Sequence, residues 1–356
     1  MKGLILAGGH GTRLRPLTNT GPKQLIPIAN KPVLFYAIED LKEAGIKDIG
    51  IILGHNMPEK IMEAVGDGSQ WGVRITYIFQ GEPLGLAHAV KVAHDFIKDS
   101  PFVMYLGDNL LKDGIRKIVK EFKSKRPECA IALCSVPNPQ MFGVAELDKE
   151  GRVVNLVEKP REPKSSLALV GVYLFRKSIF KAIKNIIPSW RGELEITDAI
   201  DWLIKNGMKV ESHIVEGWWK DTGLPDDLIH ANSLLLEDLK KNVKGVVEKG
   251  AKINGNVSIG AGSRITKGSS IEGPVIIGDN CIIENSRIGP NTSVGGFTVV
   301  RDSDIESSIV MGESHVECGV KLVDSIIGNN TSILTSKKKR DEGNTIIVGD
   351  NSQIAI

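Results

Sequence analysis

The sequence predicts an α/β chain in two parts, a doubly wound, Rossmann-like sheet over residues 1–240 followed by a left-handed parallel β-helix over 241–356. Three observations predict it. In the first part, short apolar runs that end in glycine or a polar turn alternate with amphipathic stretches. In the second part an apolar residue returns at every sixth position. Finally, 356 residues exceed what one hydrophobic core normally serves, and an apolar content of 41% is enough to fill two.

The strands expected in the first part are Lys2–Ala7, Asp48–Leu53, Arg74–Phe79, Phe102–Leu106 and Ala130–Val136. Between them Pro32–Ala44, Met57–Val65, Leu86–Phe96 and Ile115–Lys125 carry apolar residues at three and four spacing, as helices do. In such sheets a ligand lies beyond the carboxyl ends of the strands, so the loops after Ala7, Phe79 and Leu106 are where chemistry is expected. In the second part Ile253, Ile259, Ile265, Ile271, Ile277 and Ile283 repeat in sixes, and Ile288 and Val294 continue after one slip of register. Each should point inward and stack on the residue one coil away. The basic run Lys337–Arg340, with Asp341–Asn344 behind it, reads as a solvated loop extruded from a coil.

Charge and cysteine usage exclude several classes. The 45 Lys and Arg against 43 Asp and Glu leave a net charge of +2, which gives no footprint for nucleic acid or an anionic membrane. The apolar run Leu4–Ala7 is too short for a signal sequence and no stretch approaches a membrane span, so a cytoplasmic protein is expected. Cys129, Cys134, Cys281 and Cys318 have neither paired spacing nor histidines nearby, and read as buried reduced thiols.

The first strand runs into Gly8-Gly9-His10-Gly11-Thr12-Arg13-Leu14, a turn whose backbone N–H groups can approach phosphate oxygens unobstructed. It is not a dinucleotide fingerprint, because Leu14 stands where the third glycine is needed. No Gly-Lys-Ser/Thr follows, which removes a P-loop. Instead Arg13 lies in the turn and Lys23 follows in Gly21-Pro22-Lys23-Gln24, two cations that could converge on a triphosphate.

Gly-Gly-x-Gly-Thr-Arg-Leu followed by Pro-Lys resembles the signature of the sugar-phosphate nucleotidyltransferases. The resemblance continues through Gln80–Ala87, Leu106–Asn109, Phe142–Val144, Val157–Pro160, Gly192–Asp198 and Trp218–Gly223, and so covers essentially the whole chain. With hexapeptide repeats at the C-terminal end it is most similar to the long form of the glucose-1-phosphate thymidylyltransferases. The resemblance implies transfer of a nucleotidyl group from dTTP to glucose-1-phosphate with release of pyrophosphate, assisted by Mg²⁺ on Asp108 and Asp221. It implies nucleotide contacts from Leu6, Gly8, Gly9, Gly11, Thr12, Arg13, Lys23, Gln24, Gln80, Gly85 and Asp108. The sugar is expected at Asn109, Gly143, Glu158, Lys159, Leu169 and Gly171, with Arg13, Lys23 and Lys159 as the catalytic cations. Trp218 and Trp219 read equally as core aromatics or platforms.

Two departures bear on nucleotide choice: Leu84 replaces an acidic residue of the short forms, and Gly21 replaces an arginine of the long forms. A UTP-specific or dual-specificity enzyme is therefore the alternative to dTTP, and a non-catalytic sugar-nucleotide sensor is a second one. Acetyl transfer on the β-helix is a further rival, for which His315 is the one histidine beyond residue 230. An oligomerisation or regulatory role for the β-helix is preferred, and the chain is expected to be a homo-oligomer.

Overall fold

The computed structural model describes residues 1–334 and 346–355, and the Lys337–Arg340 and Asp341–Asn344 loop lies outside them. The chain divides into two compact units. One comprises Met1–His10 and Val33–Asp221, the other Gly11–Pro32 and Thr222–Ile356.

In the first unit the chain order is β1 (Lys2–Ala7), α1 (Val33–Glu43), β2 (Asp48–Leu53), α2 (Pro58–Val65), β3 (Arg74–Phe79), α3 (Leu86–Val92), α4 (His94–Ile97), β4 (Phe102–Leu106) and β5 (Asn109–Leu111). It continues with α5 (Arg116–Lys125), β6 (Cys129–Ser135), β7 (Gly143–Leu147), β8 (Val153–Glu158), β9 (Leu167–Phe175), α6 (Ser178–Asn185), α7 (Ile196–Lys205), β10 (Val210–Ile214) and β11 (Trp219–Asp221). The expected strands fall on β1, β2, β3, β4 and β6, the last one residue earlier than read. The helix expected over Leu86–Phe96 is interrupted at Ala93, whose ψ of 4° leaves the helical region.

The nine-stranded sheet runs β8–β7–β9–β4–β1–β2–β3, with β6 paired to β9 and β10. Its centre is parallel, β4, β1, β2 and β3 side by side. The sheet as a whole is mixed, because β9 runs antiparallel to both β4 and β6. Parallel strands covered on both faces must be apolar throughout, which is why Leu4 to Ala7 and Ile49 to Leu53 are all but excluded from solvent where they carry side chains. The buried Tyr105 keeps its hydroxyl satisfied by donating to Asp40 Oδ2 of α1 at 2.8 Å.

The second unit is built on the β-helix, whose short parallel strands form three sheets. The register stacks Ile253 on Ile271, Ile288, Ile305 and Leu322 along one face. Along a second, Ile259 stacks on Ile277, Val294, Val310 and Ile327; along the third, Ile265 stacks on Ile283, Val300, Val316 and Ile333. Hydroxyls carry the hydrogen bonding round the corners. Ser269 Oγ accepts from the N–H of Ser286, Ser286 Oγ from Ser303, and Ser303 Oγ from Cys318 at 3.1 Å. Cys129, Cys281 and Cys318 are buried free thiols, and Cys134 is half-buried.

Segments 11–32 and 222–240, which sequence alternation reads with the sheet, group instead with the β-helix. Their polar contacts explain it. The strand pair Pro27–Ile28 and Lys31–Pro32 is closed by Ala29 and Asn30, both at positive φ (48° and 62°). Ala29 N–H donates to Asn232 Oδ1 at 2.9 Å, Asn232 Nδ2 donates to Asn291 O at 2.9 Å, and Asn30 Nδ2 donates to Val294 O at 2.8 Å. Asn232 belongs to α8 (Pro225–Glu237) and is 1% exposed. Among the described residues no helix is long and apolar enough to cross a membrane.

Because each coil buries its isoleucine only against its neighbours, Ile288→Ala should open a cavity in a closed column. We expect a loss of about 2–5 kcal/mol in denaturant melts that follow the β-helix transition.

Candidate active site

Three loops that the sequence singles out lie at the same end of the parallel strands. The register pairs Leu6 with Ile52 and with Leu106, and Leu53 with Phe79, so Gly8, Gln80 and Gly107-Asp108 leave the sheet side by side. Leu6 is buried, Gly8 half-buried and Gly9 exposed. A side chain at Gly8 would come within 3.1 Å of Gln80 Oε1 and 3.3 Å of the backbone N of Gly54, so Gln80 folds directly over this turn.

The amide nitrogen of Gln80 lies 3.3 Å from Gly85 O and 3.3 Å from Nδ1 of His88. Burial first, and then the charge of Lys91, lowers the pKa of His88, so its imidazole is held neutral and its Nδ1 accepts from the amide. Gly85 is required where it stands. Its φ is +103°, and a Cβ would lie 2.5 Å from Leu194 O, which accepts the N–H of Ala87 at 3.0 Å.

Strand pairing sets the chain segments that carry the two carboxylates expected to hold a metal side by side. Strands β5 and β11 run antiparallel, and Asp221 stands opposite Asn109, the neighbour of Asp108. Asn109 is 2% exposed and fixed at both ends of its amide. Its Nδ2 donates to Asp108 Oδ1 at 2.9 Å, and its Oδ1 accepts from Trp219 Nε1 at 2.7 Å. Trp219 also meets Phe142 edge-on at 5.1 Å between ring centroids. Trp219 is thus a supporting residue of the site, which sequence left open between core and platform. Trp218 is half-buried, and its indole Nε1 has no hydrogen-bond partner among the described residues.

The residues expected around the sugar form a row beside this pair. Gly143 and Glu158 are opposite one another in the β7–β8 pair. A Cβ on Gly143 would meet Leu169 Cδ1 at 2.7 Å and Glu158 Oε2 at 3.0 Å, and one on Gly171 would meet Asn109 Oδ1 at 2.8 Å. Leu169 and Gly171 sit where the β9–β6 register shifts, an irregularity of the kind that re-aims chain next to binding sites. Lys159 follows with φ of 42° and its N–H on Phe142 O at 3.0 Å, its side chain exposed.

Glu158 has neighbours that sequence did not assign. Arg191 lies 3.7 Å from it and also pairs with Glu193 at 2.7 Å and Glu195 at 3.4 Å, while Thr197 Oγ1 donates to Glu158 Oε2 at 3.4 Å. Burial and then the nearly excluded Glu195 raise the pKa of Glu158, against the opposing pull of Lys159 and Arg191. The motif Gly192–Asp198 signalled this segment, but the convergence of charges more than thirty positions apart exists only in the folded sheet.

Gly11, Thr12, Arg13, Lys23 and Gln24 belong to the second unit. There Gly11 takes φ of 65° and its carbonyl accepts from Thr18 Oγ1 at 2.9 Å, and a Cβ on Gly11 would lie 3.2 Å from Lys23 Cβ. The turn therefore packs the stem of Lys23 against the end of the glycine run. Thr12 and Arg13 are exposed, and Lys23 is half-buried. Gln24 is 1% exposed, and its Oε1 has no hydrogen-bond partner among the described residues.

The nucleotidyl transferase family profile matches residues 2–238. The chain is 50% identical to the low-salt glycan biosynthesis nucleotidyltransferase Agl11 of Haloferax volcanii, over all of both chains. It is 49% identical to a glucose-1-phosphate thymidylyltransferase of Streptomyces antibioticus, covering all of this chain and 99% of that one. A crystal structure from Bacillus anthracis, described as a glucose-1-phosphate thymidylyltransferase in complex with a sucrose, superposes with a TM-score of 0.63 at 39% identity, covering 68% of this chain and 97% of that one. By motif, fold and relatives alike, the chain belongs to the nucleotidyl transferase family and is a sugar-phosphate nucleotidyltransferase.

Proposed function

We propose that this enzyme transfers a thymidylyl group from dTTP to glucose-1-phosphate, giving dTDP-glucose and pyrophosphate, with Mg²⁺ on Asp108 and Asp221. The observation that carries the reading is the β5–β11 pairing, which sets Asp221 across from the neighbour of Asp108. The donor set fits the ion. Carboxylates are hard oxygen ligands, and Mg²⁺ characteristically takes one or two of them and completes its shell with water and substrate phosphates. When bound, the ion would neutralise charge on the triphosphate.

A phosphate oxygen of the sugar phosphate attacks the α-phosphorus in line, a new P–O bond forms, and the bond to the bridging oxygen of the pyrophosphate breaks. That oxygen is already anionic near neutral pH, so the chain need supply no nucleophile. Its residues position and neutralise: Arg13 on the departing pyrophosphate, Lys23 at the α-phosphate, Lys159 on the sugar phosphate. Glu158 accepts from sugar hydroxyls beside Gly143, and the Gln80 amide, with its nitrogen held by Gly85 and His88, presents Oε1 to the pyrimidine edge. The Oε1 of Gln24, which has no hydrogen-bond partner among the described residues, suits a ligand hydroxyl. Identity of 49% to a thymidylyltransferase over the full chain supports dTTP as the nucleotide. We read the enzyme as a cytoplasmic homo-oligomer.

Pyrophosphate release with Mg²⁺ and glucose-1-phosphate should be fastest with dTTP when dTTP and UTP are compared in parallel. An equal or greater rate with UTP would move the assignment to a uridylyl or dual-specificity enzyme, and no turnover with any triphosphate would leave a sensor. Asp108→Asn should reduce turnover by at least ~100-fold with the circular dichroism spectrum unchanged. Ionised Glu158 is a stronger acceptor for sugar hydroxyls than its protonated form, and its raised pKa means that, as pH falls, sugar binding should weaken at a higher pH than for an ordinary carboxylate. Glu195→Gln removes a neighbouring negative charge, lowers that pKa and should shift the acid limb of the sugar-phosphate KM to lower pH, measured against wild type so that titration of the sugar phosphate cancels.

A further inference from the structure

Two of the three proposed catalytic cations, Arg13 and Lys23, lie in the segment Gly11–Pro32, whose own regular structure is slight. It has three single 3-10 turns, Thr12–Leu14, Leu17–Asn19 and Lys23–Leu25, and a hairpin with two residues in each arm. Turns of this length carry too few internal bonds to fix two long side chains in one place.

The β-helix supplies the missing constraints at two points. At the first, Thr20 Oγ1 donates to Asp350 Oδ2 at 2.7 Å. Next to it Gly349 lies so close that an added Cβ would stand 2.8 Å from Pro16 O. At the second, the hairpin tip is held through Asn30 to Val294 O, and through Ala29 and Asn232 to Asn291. Lys23 lies between the two anchors, and Arg13 immediately precedes the first.

Asp350 is distinguished by comparison within the same β-helix. In Ile277-Gly278-Asp279 the aspartate accepts the N–H of Ala261 one coil below at 2.7 Å, and in Val348-Gly349-Asp350 the aspartate accepts the N–H of Asn329 at 2.7 Å. Both carboxylates thus cap a coil through Oδ1. Asp350 uses its second oxygen for Thr20 as well.

We propose that the β-helix serves the chemistry directly, with Thr20, Asp350 and Asn30 as positioning residues that fix the segment carrying Arg13 and Lys23. The inference rests on the roles given to those two cations above. It makes the repeat domain a brace for the triphosphate-binding segment, beyond any part in assembly.

The test compares Thr20→Val, Asp350→Ala, their double variant, Asp350→Asn and the control Asp279→Ala in the full chain. Thr20→Val and Asp350→Ala should each lower kcat on the order of tenfold and raise KM for the triphosphate, leaving KM for the sugar phosphate within about twofold of wild type. The double variant should be no worse than Asp350→Ala, since that change already breaks the bond to Thr20. Asp350→Asn should recover most of the activity, because the Thr20 hydroxyl can accept from an amide. Asp279→Ala should melt earlier yet keep its kcat.

Amide hydrogen exchange over 17–25, measured without substrates, should quicken in Thr20→Val and Asp350→Ala. Unchanged exchange would overturn the anchor. Faster exchange with wild-type kcat would overturn the link to chemistry while leaving nucleotidyl transfer standing. Inactivity of the wild type toward every triphosphate would instead sink the transfer reading, and this proposal with it.

Discussion

The antiparallel pairing of Trp219–Asp221 with Asn109–Leu111 is the constraint on which the rest of the candidate site depends. It joins the chain just past the central strand β4 to a strand more than a hundred positions later. It also sets Asp221 across from Asn109, the neighbour of Asp108. A carboxylate can serve a ligand only if its direction is fixed. The amide of Asn109 does the orienting, because its nitrogen faces Asp108 and its oxygen faces the indole of Trp219. The amide cannot turn over without losing both bonds, and so the contact that Asp108 Oδ1 makes with it is set by a tryptophan on the partner strand.

The sugar side is organised by a different balance. Glu158 is flanked by Arg191, Lys159 and Glu195 in a largely buried setting, where burial and Glu195 raise its pKa against the pull of the two cations. A carboxylate in that condition is an efficient acceptor for hydroxyl groups because the competing water has been removed. Its raised pKa would couple the proposed sugar recognition to pH more tightly than that of a surface glutamate would.

Much of this was legible in the sequence, for identifiable reasons. The buried parallel strands announce themselves because each must be apolar on both faces and stop at a turn, and the β-helix because its inward positions recur in sixes. The antiparallel β9 was not legible, since a strand buried on both faces looks the same whichever way it runs. Asp108 and Asp221 could be named by resemblance, but the bond between Asn109 and Trp219 could not, because sheet register alone decides which side chains meet. The grouping of Gly11–Pro32 with the β-helix was hidden for a similar reason. Nothing in the periodicity of a loop reveals the surface on which it docks, and Asn30, Asn232 and Thr20 look like ordinary turn and surface residues until their partners at Val294, Asn291 and Asp350 are seen.

The bond between Thr20 and Asp350 spans nearly the whole chain, and this has a bearing on synthesis. Domains fold as they emerge from the ribosome, the earlier ones first, while contacts between distant residues must wait for the later one to be made. The sheet of the first unit can be completed once residue 221 has been translated. The segment that follows the first strand cannot, since one of its anchors, Asp350, is made more than a hundred residues later. A chain interrupted between residues 294 and 350 would hold a folded sheet and a Gly11–Pro32 segment anchored at its hairpin tip alone, so that the state of this short stretch reports whether translation has passed Asp350.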